Sequence, residues 1–435
     1  MNRHYFFLAA TLVLAACGDG HAPPKSNFGT HPALPAPAPQ SIPTMNVNST
    51  APWPADRAPK APPGFAVTRY AADLQHPRWV YVLPNGDVLV AEAAPPNAPI
   101  DGIEDAVEHW MDVKNGSTPP SANRITLLRD TKGTGKPDVR TVFLKDLNMP
   151  FGMLLLKGYF YVANTDGVVR YPYKDGDTSI TAPGQKILDI PVGHHWTRNL
   201  IASEDGKKIY VTVGSGSNIA DKGMGIEKRR ADILEINPDG TGERIYASGL
   251  RNPNGMGWEP KTHMLWVAVN ERDQLGDDLV PDYMTGVKDG AFYGWPWSYW
   301  GQHVDERVQP QNPAMVAKAI APDYALGAHT ASLGLTFYTA SAFPAHYQGG
   351  VFVGQHGSWN RAQLTGYKVV FVPFADGKPA GDPEDFLTGF LTDAKSGVAN
   401  GRPVGVTVDK TGALLVADDV GNIVWRVAAV KPSGY

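Results

Sequence analysis

One short pattern returns six times along the chain: a turn, then an apolar strand that ends in small or polar residues. The copies are GDVLVAE (86–92), GYFYVAN (158–164), KKIYVTV (207–213), HMLWVAV (263–269), GVFVGQH (350–356) and GALLVAD (412–418). In most copies a second apolar stretch lies just upstream, as in HPRWVYVLPNG, MPFGMLLLKG and RPVGVTVDKTG, and the Asn-Gly, Lys-Gly and Thr-Gly joints read as hairpin turns. A third run often follows, such as VVRYPY or IVWRV. Six recurring hairpins with extra strands predict an all-β fold, a six-bladed β-propeller with four-stranded blades and long insertion loops. A two-sheet sandwich would leave too much chain unplaced. The 46 Gly and 38 Pro, against a charged fraction of 19%, suit such a turn-rich β protein.

Residues 1–17 carry Arg3, an apolar run and then Leu-Ala-Ala before Cys17, which reads as a signal peptide whose end resembles the bacterial lipobox. Cys17 is then the lipidation site, and an exported, periplasm-facing lipoprotein on the outer membrane is expected, attached through its lipid alone. From 18 to 63 proline is too dense for sheet or helix interiors, so a disordered tether is expected there, with the catalytic propeller over 64–435. Cys17 is the only cysteine, which excludes intrachain disulfides and a C-x-x-C-H haem motif. A net charge of −4 with no basic block argues against nucleic acid as a partner.

In a propeller, the loops leading into the inner strands converge on one face and form the pocket. Polar groups stand at that phase in five repeats: Asn148, His195 with Arg198, Arg251 with Asn252, His329 with Thr330, and Arg402. Histidines at strand ends usually bond to a nearby carbonyl, and arginines there can pair with acids between blades. Several arginines converging on one mouth suit instead an anionic ligand held by paired hydrogen bonds. The stretch NERDQLGDDLVPD (270–282) suits either oxygen ligation of a hard cation such as Ca²⁺ or a solvated acidic loop. The GWPW run beyond it fits an aromatic wall for a planar ligand or ordinary packing.

GLRNPNGMGWEP, YGWPW, HTASLGLTFY, QHGSWNR, GYKVVFVPF and GRPVGVTVDKTGALLVADDVGNIVWRV resemble the sorbosone dehydrogenase branch of the soluble sugar dehydrogenases that depend on pyrroloquinoline quinone (PQQ). The resemblance runs from about Gly64 to Val427. It implies a six-bladed propeller holding PQQ and Ca²⁺, with His195 as catalytic base and Arg251, Asn252, Asn148 and Arg402 on the cofactor. It also implies main-chain carbonyls of Asp273 and Gln274 on the calcium, with Asp278 beside them, and His356 or Arg361 where relatives present a lysine. Arg198 is left between cofactor and strand end. The implied reaction is oxidation of an aldose or a sorbosone-like aldehyde, with electrons passed to an external acceptor, a cytochrome or a quinone. A calcium-dependent propeller lactonase and a non-catalytic carbohydrate-binding propeller are the competing readings.

Overall fold

The computed structural model describes residues 27–39, 44–95, 103–393 and 397–430. Each of the six repeated motifs supplies the second strand of its own antiparallel sheet. Sheet one is built from Pro77–Val82, Val88–Glu92, Arg124–Arg129 and Val139–Leu144, and sheet two from Met153–Leu156, Tyr159–Asn164, Gly167–Pro172 and Gln185–Asp189. Sheet three holds Leu200–Ala202, Ile209–Val213, Asp232–Ile236 and Arg244–Ser248. Sheet four holds Asn252–Trp258, Leu265–Asn270, Pro281–Gly286 and Tyr324–Ala328, with Phe28–Gly29 added at its edge. Sheet five holds Ser332–Phe337, Val351–Gln355, Lys368–Val372 and Glu384–Leu387. Sheet six takes Pro403–Val408, Leu414–Asp418 and Ile423–Ala429 from one end of the chain and Phe65–Ala71 from the other.

The second strands are apolar on both sides because both faces of every sheet are covered. Apolar layers separate successive sheets: Leu89, Phe143 and Phe160 between one and two, Ile209 and Leu188 between two and three, and Tyr210 and Val267 between three and four. Trp266 and Val353 pack between four and five, Phe352 and Trp425 between five and six. A further layer, with Val80, Val90, Leu415 and Val424, joins sheet six back to sheet one. The first strands line the middle, and glycines let their backbones approach. A Cβ on Gly334 would lie 2.2 Å from the Val404 carbonyl oxygen, and one on Gly405 would lie 2.8 Å from that of Arg78.

The first strands also bulge as they begin, with register shifts between Pro77 and Trp79, Pro253 and Met256, Ser332 and Gly334, and Pro403 and Val406. A bulge re-aims the side chain it carries. Arg78 and Leu333, each inside such a shift, reach the central cavity described below.

The start of the folded part needs correction. Described residues of the proline-rich stretch are docked on the sheets and form no free tether. Ser49–Thr50 pairs in parallel with Val398–Ala399, the Asn46 amide donates to the Trp359 carbonyl at 2.9 Å, and Trp53 Nε1 donates to Asp418 at 2.7 Å. Proline does not prevent this, because the strap relies on isolated contacts and edge pairing in place of a continuous ladder. Cys17 and the signal segment lie outside the described residues. Among the described residues no helix is long and apolar enough to cross a membrane.

Candidate functional site

The loops leading into the first strands, and those joining second to third strands, gather at one end of the molecule around a cavity of about 1380 Å³. Seven of the nominated residues line it: Asn148, His195, Arg251, Asn252, Asp273, His329 and His356.

His195 is half-buried on the loop before Leu200–Ala202. Its Nδ1 lies 2.9 Å from the Ser215 carbonyl and 3.0 Å from Ser215 Oγ, whose own proton goes to the Ser217 carbonyl at 2.7 Å. The carbonyl accepts only from an N–H, so the proton sits on Nδ1 and Nε2 keeps a lone pair. No described residue bonds to that Nε2. Burial, then the neighbouring His194 and Arg251, hold the ring well below the usual imidazole range, so it is neutral at neutral pH.

Arg251 precedes strand Asn252–Trp258. It donates to the Glu271 carbonyl at 2.7 Å, to Asn218 Oδ1 at 3.0 Å and to Asp273 at 3.3 Å. His329 donates from Nδ1 to Asp273 at 3.1 Å and from Nε2 to the Gly276 carbonyl at 2.9 Å, a pattern that only the imidazolium satisfies. Burial opposes that charge, but the bond to Asp273 and its negative field outweigh it and raise the pKa. Two fixed cations therefore flank one carboxylate.

Asp282 and Glu271 also line the cavity. Burial lifts them to about 6 and about 7. Glu271 Oε1 and Asn252 Oδ1 are buried without a partner among the described residues, so polar atoms remain to meet a ligand.

Elsewhere in the wall Asp419 gathers Arg78, His356 at 2.8 Å and His76 at 3.4 Å, all buried. The Arg78 guanidinium lies 5.3 Å from the Trp196 ring. His356 Nε2 donates to Asp419, which leaves its Nδ1 as an acceptor. Burial and then Arg402 press it down to about 3, against the pull of Asp419.

The other nominated residues are placed differently. Arg402 does not line the cavity. Its donors go to the carbonyls of His356 at 2.9 Å and Gly357 at 3.0 Å, so it braces the segment that carries His356. Arg198, fully buried, is spent on the carbonyls of His195, Thr197 and Pro191 and braces the loop of the base. Thr330 donates to Asp282 at 3.0 Å behind the wall. Arg361 and Asp278 pair with each other at 3.2 Å outside the cavity lining, and Gln274 gives its carbonyl to Arg307.

Of the main-chain carbonyls expected on calcium, that of Asp273 accepts from Asn218 at 3.3 Å and that of Gln274 from Arg307 at 3.2 Å. Among the described residues no three His, Cys, Asp or Glu side chains gather as metal ligands. Asp273 is already taken by Arg251 and His329. Sequence reasoning missed Arg78, Asp282 and the insertion helix Ile103–Lys114, whose Asp112 also lines the cavity. Arg78 lies in the bulge of its strand, two residues beyond the phase of Arg251, and the helix carries no polar signal at a strand entrance.

The model of a family described as TrAA12-like matches residues 121–283 and 301–429, more than half of the sequence. The chain belongs to the TrAA12-like family. Relatives of this TrAA12-like chain include an uncharacterized protein of Borreliella burgdorferi, 32% identical over 54% of the chain, and the aldose sugar dehydrogenase YliI of Escherichia coli, 28% identical over 38%. The chain spans 60% and 46% of the length of those two proteins. Among solved structures, the Trichoderma reesei family AA12 enzyme in its calcium structure aligns with a TM-score of 0.68 at 18% identity, covering 86% of this chain and 97% of that one. The PQQ domain of Coprinopsis cinerea pyranose dehydrogenase aligns at 0.69 and 19%, covering 87% and 100%. The PQQ-bound aldose sugar dehydrogenase of Streptomyces coelicolor aligns at 0.55 and 17%, covering 85% and 99%. The TrAA12-like chain therefore shares their all-β architecture.

Proposed function

We propose that this protein is a quinoprotein oxidoreductase that oxidises an aldose or a sorbosone-like aldehyde and passes the electrons to an external acceptor, a cytochrome or a quinone. The observation that carries the reading is the presence, in the lining of one cavity, of a neutral His195 with a free Nε2 lone pair and the fixed cations Arg251 and Arg78. Six basic side chains line the cavity: Arg78, Lys222, Lys228, Arg229, Arg230 and Arg251. Its acids are Asp112, Glu271, Asp273 and Asp282, of which Asp112, Glu271 and Asp282 are pushed toward neutrality by burial. That balance favours a polyanion such as a planar tricarboxylate. The family, the aldose sugar dehydrogenase relative and the PQQ-bound structures of the same architecture support PQQ as that ligand.

PQQ bound there would supply the two-electron acceptor. Arg251, Asn252, Arg78 and His356 would hold it. His195 Nε2 accepts the proton of a sugar or hydrate hydroxyl, and Ser215 keeps the ring in the tautomer that can do so. Trp196 and Arg78 wall the site beside it. No step is assigned to calcium. The fold is proposed to be a six-bladed propeller, supported by six sheets separated by six apolar layers, and the chain to be an exported lipoprotein anchored through Cys17.

The test is reconstitution of the purified protein with PQQ, with and without Ca²⁺, and reduction of an artificial dye by a panel of aldoses and aldehydes. Quinone uptake with sugar-dependent dye reduction is expected. Lactone hydrolysis without quinone uptake would overturn the assignment.

A further inference from the structure

The rim of the cavity exposes apolar side chains that the proposed chemistry leaves unused. Trp110 and Val113 project from the insertion helix whose other side lines the cavity, at 53% and 57% exposure. Val192 stands in the loop that carries His195, 64% exposed. Met224 and Ile226 tip the Lys-Gly-Met-Gly-Ile loop that follows Ile209–Val213 and are exposed as well. These loops belong to different sheets yet surround one mouth. Large apolar side chains concentrated on one rim are costly in water and mark a contact surface.

Lysines are interleaved with them, although the helix sequence also carries Glu104, Asp105, Glu108 and Asp112. Lys114 lies 5.1 Å from the Trp110 ring, and Lys222 and Lys228 flank Met224 and Ile226. Asp221 is the exposed acid of that loop, since Glu227 is buried on Gly216 and Ser217. Aromatic and aliphatic tips set among lysines are the composition of a surface that sits in the headgroup region of an anionic bilayer.

The course of the chain points to the same partner. Asn27, where the description of the strap begins, bonds to Asp278 in the loop after Leu265–Asn270, at the cavity end of the molecule. From Cys17, the expected lipid acceptor, the chain to Asn27 spans at most about 35 Å even when extended. The anchor therefore tethers the molecule by the end that bears the mouth.

We infer that the rim formed by Trp110, Val113, Val192, Met224 and Ile226 docks on the surface of an anionic lipid bilayer, so that the cavity opens toward the membrane. The contact adds to the lipid anchor and does not depend on the quinone reading. It places the site where a membrane-dissolved acceptor is concentrated.

The Cys17→Ser protein with residues 2–16 removed, which has neither the apolar leader nor the lipid acceptor, is sedimented with vesicles of phosphatidylcholine containing about 30% phosphatidylglycerol. It is expected to co-sediment, less so in pure phosphatidylcholine or when salt is raised to about 0.5 M. Adding Trp110→Ser and Met224→Ser is expected to lower the bound fraction about tenfold with an unchanged thermal melt, since both side chains are exposed and outside the cavity wall. Failure of the Cys17→Ser protein to bind, or equal binding by the triple variant, would overturn the inference. So would a lipid-free dimer, seen by ultracentrifugation, that the same substitutions dissolve, since a second copy would then cover the rim.

Discussion

Replacing Asp419 with Asn tests whether the part of the cavity wall formed by Arg78 and His356 is held by one buried charge. The carboxylate is fully buried, and it is the acid bonded to Arg78 and His356, with His76 close by. Asn keeps the shape and removes the charge. Arg78, whose side chain is 7% exposed, then keeps a guanidinium in the cavity wall without its counter-ion. Breaking one side of a buried pair typically costs about 3–5 kcal/mol, because the remaining charge stays desolvated. For a chain of this size that lowers the melting temperature by about 3–6 °C. Calorimetry of the wild type, Asp419→Asn and Asp278→Asn at neutral pH measures it. Asp278 is an exposed partner of Arg361, and its loss is expected to change stability by no more than about 1 kcal/mol. Because Arg78 lines the cavity, added PQQ should raise the melting temperature of Asp419→Asn more than that of the wild type. A fall of less than about 2 °C in Asp419→Asn would refute the view that Asp419 neutralises a charged Arg78.

His195→Ala is expected to lower turnover by about 10²–10⁴-fold while PQQ affinity stays within a few-fold, as read by dye reduction and quinone titration; retained activity would remove the base. Arg251→Lys loses the forked donor set that reaches Asn218, Glu271 and Asp273, and PQQ should bind at least about tenfold more weakly. Stability from these four groups should peak at about pH 6.5. His76 and His356 are lowered from 6.5 to about 4 and about 3, so their contribution is complete above 6.5 and is lost as pH falls toward those values. Asp282 and Asp418 are raised from 3.8 to about 6 and about 7, so theirs is complete below 3.8 and is lost as pH rises through 6 and 7. A melting temperature that changes in one direction only between pH 4 and 8 would contradict this assignment. Gly334→Ala should destabilise by about 1–3 kcal/mol or prevent folding, because the new methyl meets the Val404 carbonyl, which packing holds in place.

The repeated hairpins were legible because each second strand is buried on both faces and ends at a turn, so six apolar runs punctuated by glycine carried the architecture. The mouth was legible in part for a related reason. Polar residues that precede an inner strand have one place to go, and His195, Arg251, Asn252 and His329 went there. Arg402 and Arg198 share that phase but were drawn into backbone carbonyls, a choice set by where loops 356–357 and 191–197 fold and not by residue type. The strap over 44–63 was hidden because its contacts use isolated amides and carbonyls, which every residue owns. Proline density reports where regular ladders are impossible, and it does not exclude docking. The insertion helix was invisible as part of the site, since its role depends on where a long loop lands.

Sheet six is assembled from Phe65–Ala71 and Ile423–Ala429, paired side by side. A ribosome delivers the first of these long before its partner exists. Until the last stretch emerges, Phe65–Ala71 has no strand to pair with, so completing sheet six is a late event with a large entropic toll. A nascent chain of this kind stays open while it is being made, and any product cut short before residue 423 is left without its latch.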